Sequence, residues 1–295
     1  MELNGLLIVD KPAGWTSHDV VARLRGVLRE KSIGHLGTLD PMATGLLPLV
    51  LGRWTRLAQF YGGAEKTYEG RIRFGQATSS YDAEGEPVGA PVDVSALTIE
   101  KIRGAASEFT GTIRQTPPPF SAKKIGGVPA YKLARKQQPV ELAPVEITVK
   151  SFDVLEFDGE SAAVRVEVSS GAYVRSIAHE MGQRLGVGAH LAALRRTRFA
   201  DFTLEDARTL DEIAAAADAG ECGGVLLHPR RVLAWLPAVT APPEAAAFLK
   251  NGRAVNLPEF SDAPLVRVYA SQTDLLAICQ RVAGTLFKPK VVLCG

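Results

Sequence analysis

The sequence predicts an α+β fold with a small β-rich appendage at its C-terminal end. Segments that alternate like strands and segments with helical periodicity are interspersed without a regular βαβ rhythm, which argues against a doubly wound parallel sheet. Proline and glycine clusters fall between these segments rather than inside them. Near Val232 the character changes, with Pro237, Pro242 and Pro243 ahead of several short strand-like runs. A chain of 295 residues is too long for one small domain and suits a large domain plus a small one, divided here as 1–231 and 232–295.

In chain order, Leu6 to Val9 is a short apolar run that reads as a buried strand, broken at Lys11-Pro12-Ala13-Gly14. Thr16 or Ser17 is the expected cap of a helix, with Asp19 in its first turn and Val20, Val21, Leu24 and Leu28 on one face. Ile33 to Thr44 is glycine-punctuated and reads as a loop, and Arg53 to Tyr61 as a short helix stopped by Gly62-Gly63. Thr67 to Phe74 alternates, with Tyr68, Gly70, Ile72 and Phe74 on one face. Ser79 to Val92 is polar and turn-rich and reads as a surface loop; Thr98 to Phe109 has helical character. Thr116 to Pro139, proline-rich and basic, reads as an exposed excursion. Val145 to Phe157 and Ala162 to Val168 alternate as strands, Gly171 to Leu185 is helical after a glycine turn, and Asp211 to Gly220 is helical. The appendage offers a helix from Glu244 to Lys250 and strand-like runs at 264–269, 275–280 and 290–293.

Composition excludes several classes. With 46% hydrophobic and 22% charged residues the chain is not disordered. No stretch approaches the roughly 18 apolar residues of a membrane span; Gly45 to Gly52 stops at Arg53. The first residues carry Glu2 and no basic run, so no secretory signal is expected. Cys222, Cys279 and Cys294 form neither a disulfide framework nor a C-x-x-C pair. The expectation is a cytoplasmic protein with no metal.

A net charge of +2 says nothing of a polyanion partner, but its distribution does. From Phe109 to Val140 there are six basic residues and no acid; from Met181 to Ala200 there are Arg184, Arg195, Arg196, Arg198 and His190, again with no acid. These stretches either form a phosphate-facing surface or are solvated faces that lack acids.

The most unusual local sequence is Gly34-His35-Leu36-Gly37-Thr38-Leu39-Asp40-Pro41. An Asp before Pro is commonly a turn former. An Asp amid glycines, which let a ligand approach the backbone, beside His35 and apolar leucines, is equally a candidate catalytic carboxylate.

The run GHLGTLDPMATGLLPL resembles the signature loop of the TruB family, the bacterial tRNA pseudouridine-55 synthases. Other motifs of that family recur in order: VDKPAGWTS (Val9 to Ser17), KTYEG (Lys66 to Gly70), RQTPPPFSAKK (Arg114 to Lys124), YKLAR (Tyr131 to Arg135), GAYVRSIAHEMG (Gly171 to Gly182) and AHLAALRRT (Ala189 to Thr197). The ordered set spans about residues 5 to 200 and is highly specific, and Phe248 to Val255 is similar to part of the family's PUA-type appendage. Two departures, Ala172 where Thr is frequent and Ala200 where Gly is frequent, bear on turn geometry rather than chemistry.

The resemblance implies the pseudouridine synthase fold, with a large mixed, mainly antiparallel sheet flanked by helices and loops, a thumb-like insertion at about 116–143, and a PUA-like RNA-binding domain. It implies isomerisation of uridine 55 in the T-loop of tRNA by base flipping, N-glycosidic bond breakage and re-attachment through C5. Such a redox-neutral reaction needs no cofactor, in keeping with a sequence that has no dinucleotide or P-loop pattern. It implies Asp40 as the catalytic aspartate, Arg175 as its partner, Tyr68 against the base, Tyr173 and Leu194 in the pocket, and His35 filling the space left by flipped bases. Lys11 and Pro12 look structural for the active-site floor, and Lys11, Lys123, Lys124, Lys132 and Arg135 are the RNA-backbone candidates. The T-arm stem-loop is the expected partner and a monomer the expected state. A pure RNA-binding or RNA-folding protein is the rival reading, but it has no reason to keep a carboxylate facing a phosphate-rich ligand.

Overall fold

The computed structural model describes residues 3–121, 123–125, 127–130, 133 and 142–294. Its elements run β1 (Gly5–Lys11), α1 (Ser17–Val27), β2 (Ile33–His35), β3 (Thr44–Leu51), β4 (Lys66–Phe74), β5 (Ala77–Thr78), β6 (Pro87–Val88) and α2 (Ile99–Ser107). They continue with β7 (Gly111–Gln115), β8 (Lys124–Ile125), β9 (Val128–Pro129), β10 (Val145–Phe157), β11 (Ser161–Val168), α3 (Val174–Arg184), β12 (Ala189–Phe199), β13 (Phe202–Thr203) and α4 (Leu210–Asp218). The C-terminal region holds β14 (Ala238–Thr240), α5 (Pro243–Lys250), β15 (Val255–Asn256), β16 (Leu265–Tyr269), β17 (Leu275–Ala283) and β18 (Leu286–Val292).

The main sheet has nine strands, in the order β1-β3-β12-β4-β11-β10-β7, with β2 beside β3 and β13 beside β12. All neighbours are antiparallel except β3 and β12. The expected α+β class with a mixed, mainly antiparallel sheet is what the chain adopts. A second sheet, β14-β16-β17-β18-β15, forms the C-terminal β-rich unit.

The Gly45–Gly52 apolar run is a strand because both of its faces are covered. Leu47, Leu49 and Leu51 enter the main core, while Leu46 and Val50 enter a second cluster. β1 divides likewise, Leu7 and Val9 to one side and Leu6 and Ile8 to the other. A strand buried on both faces loses the alternation that usually betrays it. The second cluster draws on Trp54, Tyr61, Phe199 and Phe202 from the large sheet region and on Tyr269, Leu275, Ile278, Val291 and Leu293 from the C-terminal region.

Local signals work where they rest on hydrogen bonds. Thr16, not Ser17, caps α1: its Oγ1 accepts from Asp19 N–H at 3.0 Å, and Asp19 Oδ2 accepts from Thr16 N–H at 2.9 Å. Two expectations need correction, while the short helix ahead of Gly62-Gly63 holds in 3-10 form over Gly52–Phe60. Ile33–His35 pairs with β3 and is a short strand, not loop. The Ser79–Val92 loop is not all surface, since Ser80 and Asp82 are buried. Among the described residues no helix is long and apolar enough to cross a membrane.

Candidate active site

Asp40 sits on the loop between β2 and β3, and that loop is fixed from three sides. Ser17 Oγ, inside α1, accepts from Leu39 N–H at 2.8 Å and donates to Leu39 O at 3.2 Å. Pro41 O accepts from Gly14 N–H at 2.9 Å and from Lys11 Nζ at 3.2 Å. Arg196, fully buried on β12, donates from Nη2 to Gly37 O at 3.0 Å and from Nε to Leu46 O at 2.6 Å. Gly45 makes the close packing possible: at φ +93° it lies where a Cβ would stand 2.3 Å from Arg196 O. Only glycine fits both the angle and the space.

The Asp40 carboxylate meets Arg175 side-on, with Nε to Oδ2 at 2.9 Å and Nη2 to Oδ1 at 3.1 Å. Nη2 donates the hydrogen bond of this pair, while Nε stands against Oδ2 as a close ion pair without hydrogen-bond geometry. Arg175 is the second residue of α3, where the helix dipole opposes a cation. A second carboxylate offsets this, since Asp82 Oδ2 lies 3.1 Å from Arg175 Nη1. Ser80 O accepts a further hydrogen bond from Nη1 at 3.1 Å and Phe120 O one from Nη2 at 3.0 Å. Arg175 and Asp82 side chains are only 5% and 3% exposed, whereas Asp40 is 34% exposed, so the array is closed behind and open at Asp40. Burial pushes the Asp40 carboxyl above its ordinary value, Asp82 adds to the rise, and Arg175 and Lys11 oppose it. Exposed Glu84 belongs to the same field: burial first, then Asp82 and Asp40, push its carboxyl up.

Beside the charges lies an apolar floor. Leu39, Tyr68, Leu194 and Val174 are all buried in the main core cluster. Tyr68 stands on β4 opposite Val166 and Arg196, and Leu194 on β12 opposite Gly70. Tyr173 precedes α3, and buried Gln115 grips it: Tyr173 N–H donates to Gln115 Oε1 at 2.7 Å and Gln115 Nε2 donates to Tyr173 O at 3.0 Å. Burial and the Asp40 charge push the Tyr173 phenol up. Ser176 Oγ donates to Thr116 O at 2.8 Å, so the start of the 116–143 insertion is tied to the helix that carries Arg175.

The structure thus gathers Asp40, Arg175 and Tyr173, and it sets Tyr68 and Leu194 in the apolar cluster that holds Leu39. His35 is exposed at the end of β2, outside the Asp40–Arg175 contact. Lys11, an RNA-backbone candidate and also expected in the floor of the site, sits in that floor. It is fully buried, donating to Pro12 O, Trp15 O and Pro41 O at 2.9, 2.6 and 3.2 Å, and burial lowers its ammonium to about 8. Its ammonium reaches the Asp40 loop through Pro41 O. Lys123 is exposed and Lys124 opens β8, while Lys132 and Arg135 lie outside the described residues.

The acid-free 181–200 stretch is corrected as a phosphate-facing surface, because its arginines have protein partners. Arg184 pairs with Glu108, Arg195 with Asp10 and Arg198 with Glu167, while Arg196 is buried on carbonyls. Ala200 takes φ +50° in the β12–β13 turn, a left-handed conformation that glycine adopts at less cost. Sequence reasoning missed Asp82, Ser80, Gln115 and Arg196. Asp82 lies in a polar, turn-rich run, and nothing local marks it as buried. Among the described residues no three His, Cys, Asp or Glu side chains are placed to hold a metal.

Residues 25–174 match the model for the TruB family pseudouridylate synthase N-terminal domain, and residues 175–233 that for the tRNA pseudouridylate synthase B C-terminal domain. A tRNA pseudouridine synthase B of Solibacter usitatus is 44% identical over 99% of this chain and 100% of its own length. One from Opitutus terrae is 52% identical over 72% of this chain and 88% of its own, and one from Aquifex aeolicus 38% identical over 99% and 100%. Among solved structures, a chain in an H/ACA RNP bound to a substrate RNA containing 2'-deoxyuridine superposes with a TM-score of 0.73 at 25% identity, over 99% of this chain and 85% of that one. A chain of a Cbf5-Nop10-Gar1 complex gives 0.72 at 27% identity, over 98% and 85%.

Proposed function

This chain belongs to the TruB family of pseudouridylate synthases, and on that premise we propose that Asp40 is the carboxylate with which it works. The chain is a tRNA pseudouridine synthase that isomerises uridine 55 to pseudouridine. The N1–C1′ bond breaks, the uracil turns, C5 joins C1′, and the C5 proton is lost while N1 ends protonated. The observation that carries the assignment is the side-on Asp40–Arg175 pair, closed behind by Asp82 and open at Asp40.

The target uridine leaves the stack to reach this carboxylate, because a base cannot react at its sugar bond inside the loop. Leu39, Tyr68, Leu194 and Val174 give the base an apolar seat, and the Tyr68 ring lies against it. Arg175 keeps Asp40 ionised against the desolvation of a filled pocket. The ionised carboxylate then either adds to C1′ or takes the C2′ proton to give a glycal; both begin from the same charge in the same place. Tyr68 assists loss of the C5 proton, and His35 occupies space left by displaced loop bases at the rim.

Residues 1–231 are read as the catalytic part and 232–295 as a PUA-like RNA-binding part, with the 116–143 insertion closing on the T-arm through Lys123, Lys124, Lys132 and Arg135. The working unit is read as a monomer. Three free cysteines support a reducing, cytoplasmic compartment.

The test is to incubate the protein with a T-arm stem-loop and map pseudouridine by base-specific chemistry, beside Asp40→Asn. The variant keeps shape and loses charge, so turnover should fall to background while RNA binding survives. A variant rate within about tenfold of wild type, a barrier change of about 1.4 kcal/mol, removes Asp40 from the catalytic role.

A further inference from the structure

Lys66 opens β4 two residues ahead of Tyr68, the spacing that sets successive strand side chains on one face about 6.6 Å apart. Its chain runs over the Phe199 ring, with Nζ 5.4 Å from the centroid, and beneath the Asp40 loop. A Cβ on Gly37 would stand 3.6 Å from Lys66 Cε and 3.5 Å from Arg196 Nη1. The ammonium has one acceptor among the described residues, Ala64 O at 2.9 Å, and no carboxylate. The acids nearest along these strands are engaged elsewhere, Glu65 with Lys150 at 2.5 Å and Glu167 with Arg198 at 2.6 Å. Arg196, the second cation here, is buried on the carbonyls of Leu46 and Gly37. Two positive charges therefore stand together under the loop with no negative one to offset them.

We propose that Lys66 is a seat for one phosphodiester group of the RNA strand next to the flipped uridine, an inference that rests on the RNA substrate proposed above. A half-buried ammonium with unused donors is unfavourable until an anion arrives. An ammonium suits a phosphate oxygen as a compact point charge, and the buried Arg196 guanidinium strengthens the field without competing for the contact. Burial first, and then Arg196, lower the Lys66 ammonium to about 8, and the negative charge of a bound phosphate would oppose both. The seat also orders the catalytic loop, because the phosphate would lie against Gly37, three residues from Asp40.

The experiment measures binding of T-arm stem-loops, each with one methylphosphonate among the phosphates flanking the target uridine, to wild type, Lys66→Met, Lys66→Gln and Lys66→Arg. The neutral variants should bind the unmodified RNA about tenfold more weakly. Their log–log salt slope should shrink by about 0.7 to 0.9. At one phosphate the methylphosphonate should weaken wild type and Lys66→Arg but cost the neutral variants nothing further. Additive losses at every position, as a site for free inorganic phosphate would give, overturn the proposal, and so does an unchanged salt slope. Failure of both neutral variants to fold makes Lys66 a structural group and overturns it as well. Absence of pseudouridine from the wild-type reaction would instead count against the proposed function, since the seat is read from binding alone.

Discussion

Asp82→Asn is the perturbation that most directly tests how the site is held. Asp82 Oδ2 accepts from Arg175 Nη1 at 3.1 Å. Its Oδ1 accepts from Ser80 Oγ at 2.5 Å and from the Glu84 N–H at 3.1 Å. Asparagine has one oxygen for these two places. With the oxygen toward Arg175, its NH2 faces the Glu84 N–H; turned round, its NH2 faces the guanidinium. Either way two donors oppose each other in a site only 3% exposed. Removing one partner of a buried ion pair costs about 3 to 5 kcal/mol, and asparagine's shape puts the expected loss near about 3 kcal/mol. For a chain of this size that is a fall in Tm of roughly 5 to 10 °C.

The catalytic consequence has a sign of its own. The Asp82 charge raises the Asp40 carboxyl, so removing it lets that carboxyl ionise at lower pH. The acid limb of the kcat/KM profile should move down in pH even as the plateau falls, because Arg175 is no longer held square to Asp40. The assay is pseudouridine formation on a T-arm stem-loop across pH, with a melting curve at each pH. A purely structural Asp82 would lower Tm and leave the limb where it was. Wild-type Tm together with an unmoved profile would refute the reasoning.

Gly182→Ala places a Cβ 2.2 Å from Ala189 N, so α3 must back away from β12; stability should fall by about 1 to 3 kcal/mol and kcat with it, measured by melting and turnover. Turnover should be unchanged in EDTA on pre-folded stem-loop, because a redox-neutral isomerisation calls for no metal; a metal requirement in the chemical step would contradict this. Truncation after Arg231 removes Tyr269, Leu275, Ile278, Val291 and Leu293 from a cluster with Leu6, Ile8, Trp54 and Tyr61. The shortened chain should fold around its main core with a lower Tm, weaker tRNA binding and residual isomerase activity; failure to fold would show one cooperative unit.

Much of this was legible because it rests on short-range chemistry. The Thr16 cap, the β4 alternation and the turn at Gly171 are written within a few residues of where they act. The motif order carried Asp40, Arg175, Tyr68, Tyr173 and Leu194 to the site region although 135 positions separate the first two. What escaped is tertiary. β3 and β12 are buried between neighbours, so neither shows a clean period. Asp82 became a core residue only because β12 receives its loop, with Leu191 N–H donating to Tyr81 O at 3.0 Å and Ala83 N–H to Leu191 O at 3.0 Å. The acid-free run at 181–200 left its role open for the same reason: its acids come from Asp10, Glu108 and Glu167, all distant in sequence.

The buried cations divide by the kind of acceptor they use, and the division suits the chemistry proposed. Lys11 and Arg196 brace the Asp40 loop and bond only to main-chain carbonyls. Carbonyl dipoles satisfy their donors without cancelling their charge, so both continue to act on whatever enters the site. Among the described buried cations Arg175 alone bonds carboxylates, and it bonds two. One guanidinium shared between Asp40 and Asp82 leaves a net negative charge, held at the end where Asp40 is open. Were Lys11 or Arg196 to pair with Asp40 directly, the loop could be as firm, but the carboxylate would be fully neutralised and poor at drawing a proton or attacking a sugar carbon. Bracing the loop through its backbone separates the two tasks: the main chain takes the strain of positioning, and the carboxylate keeps its charge for the substrate.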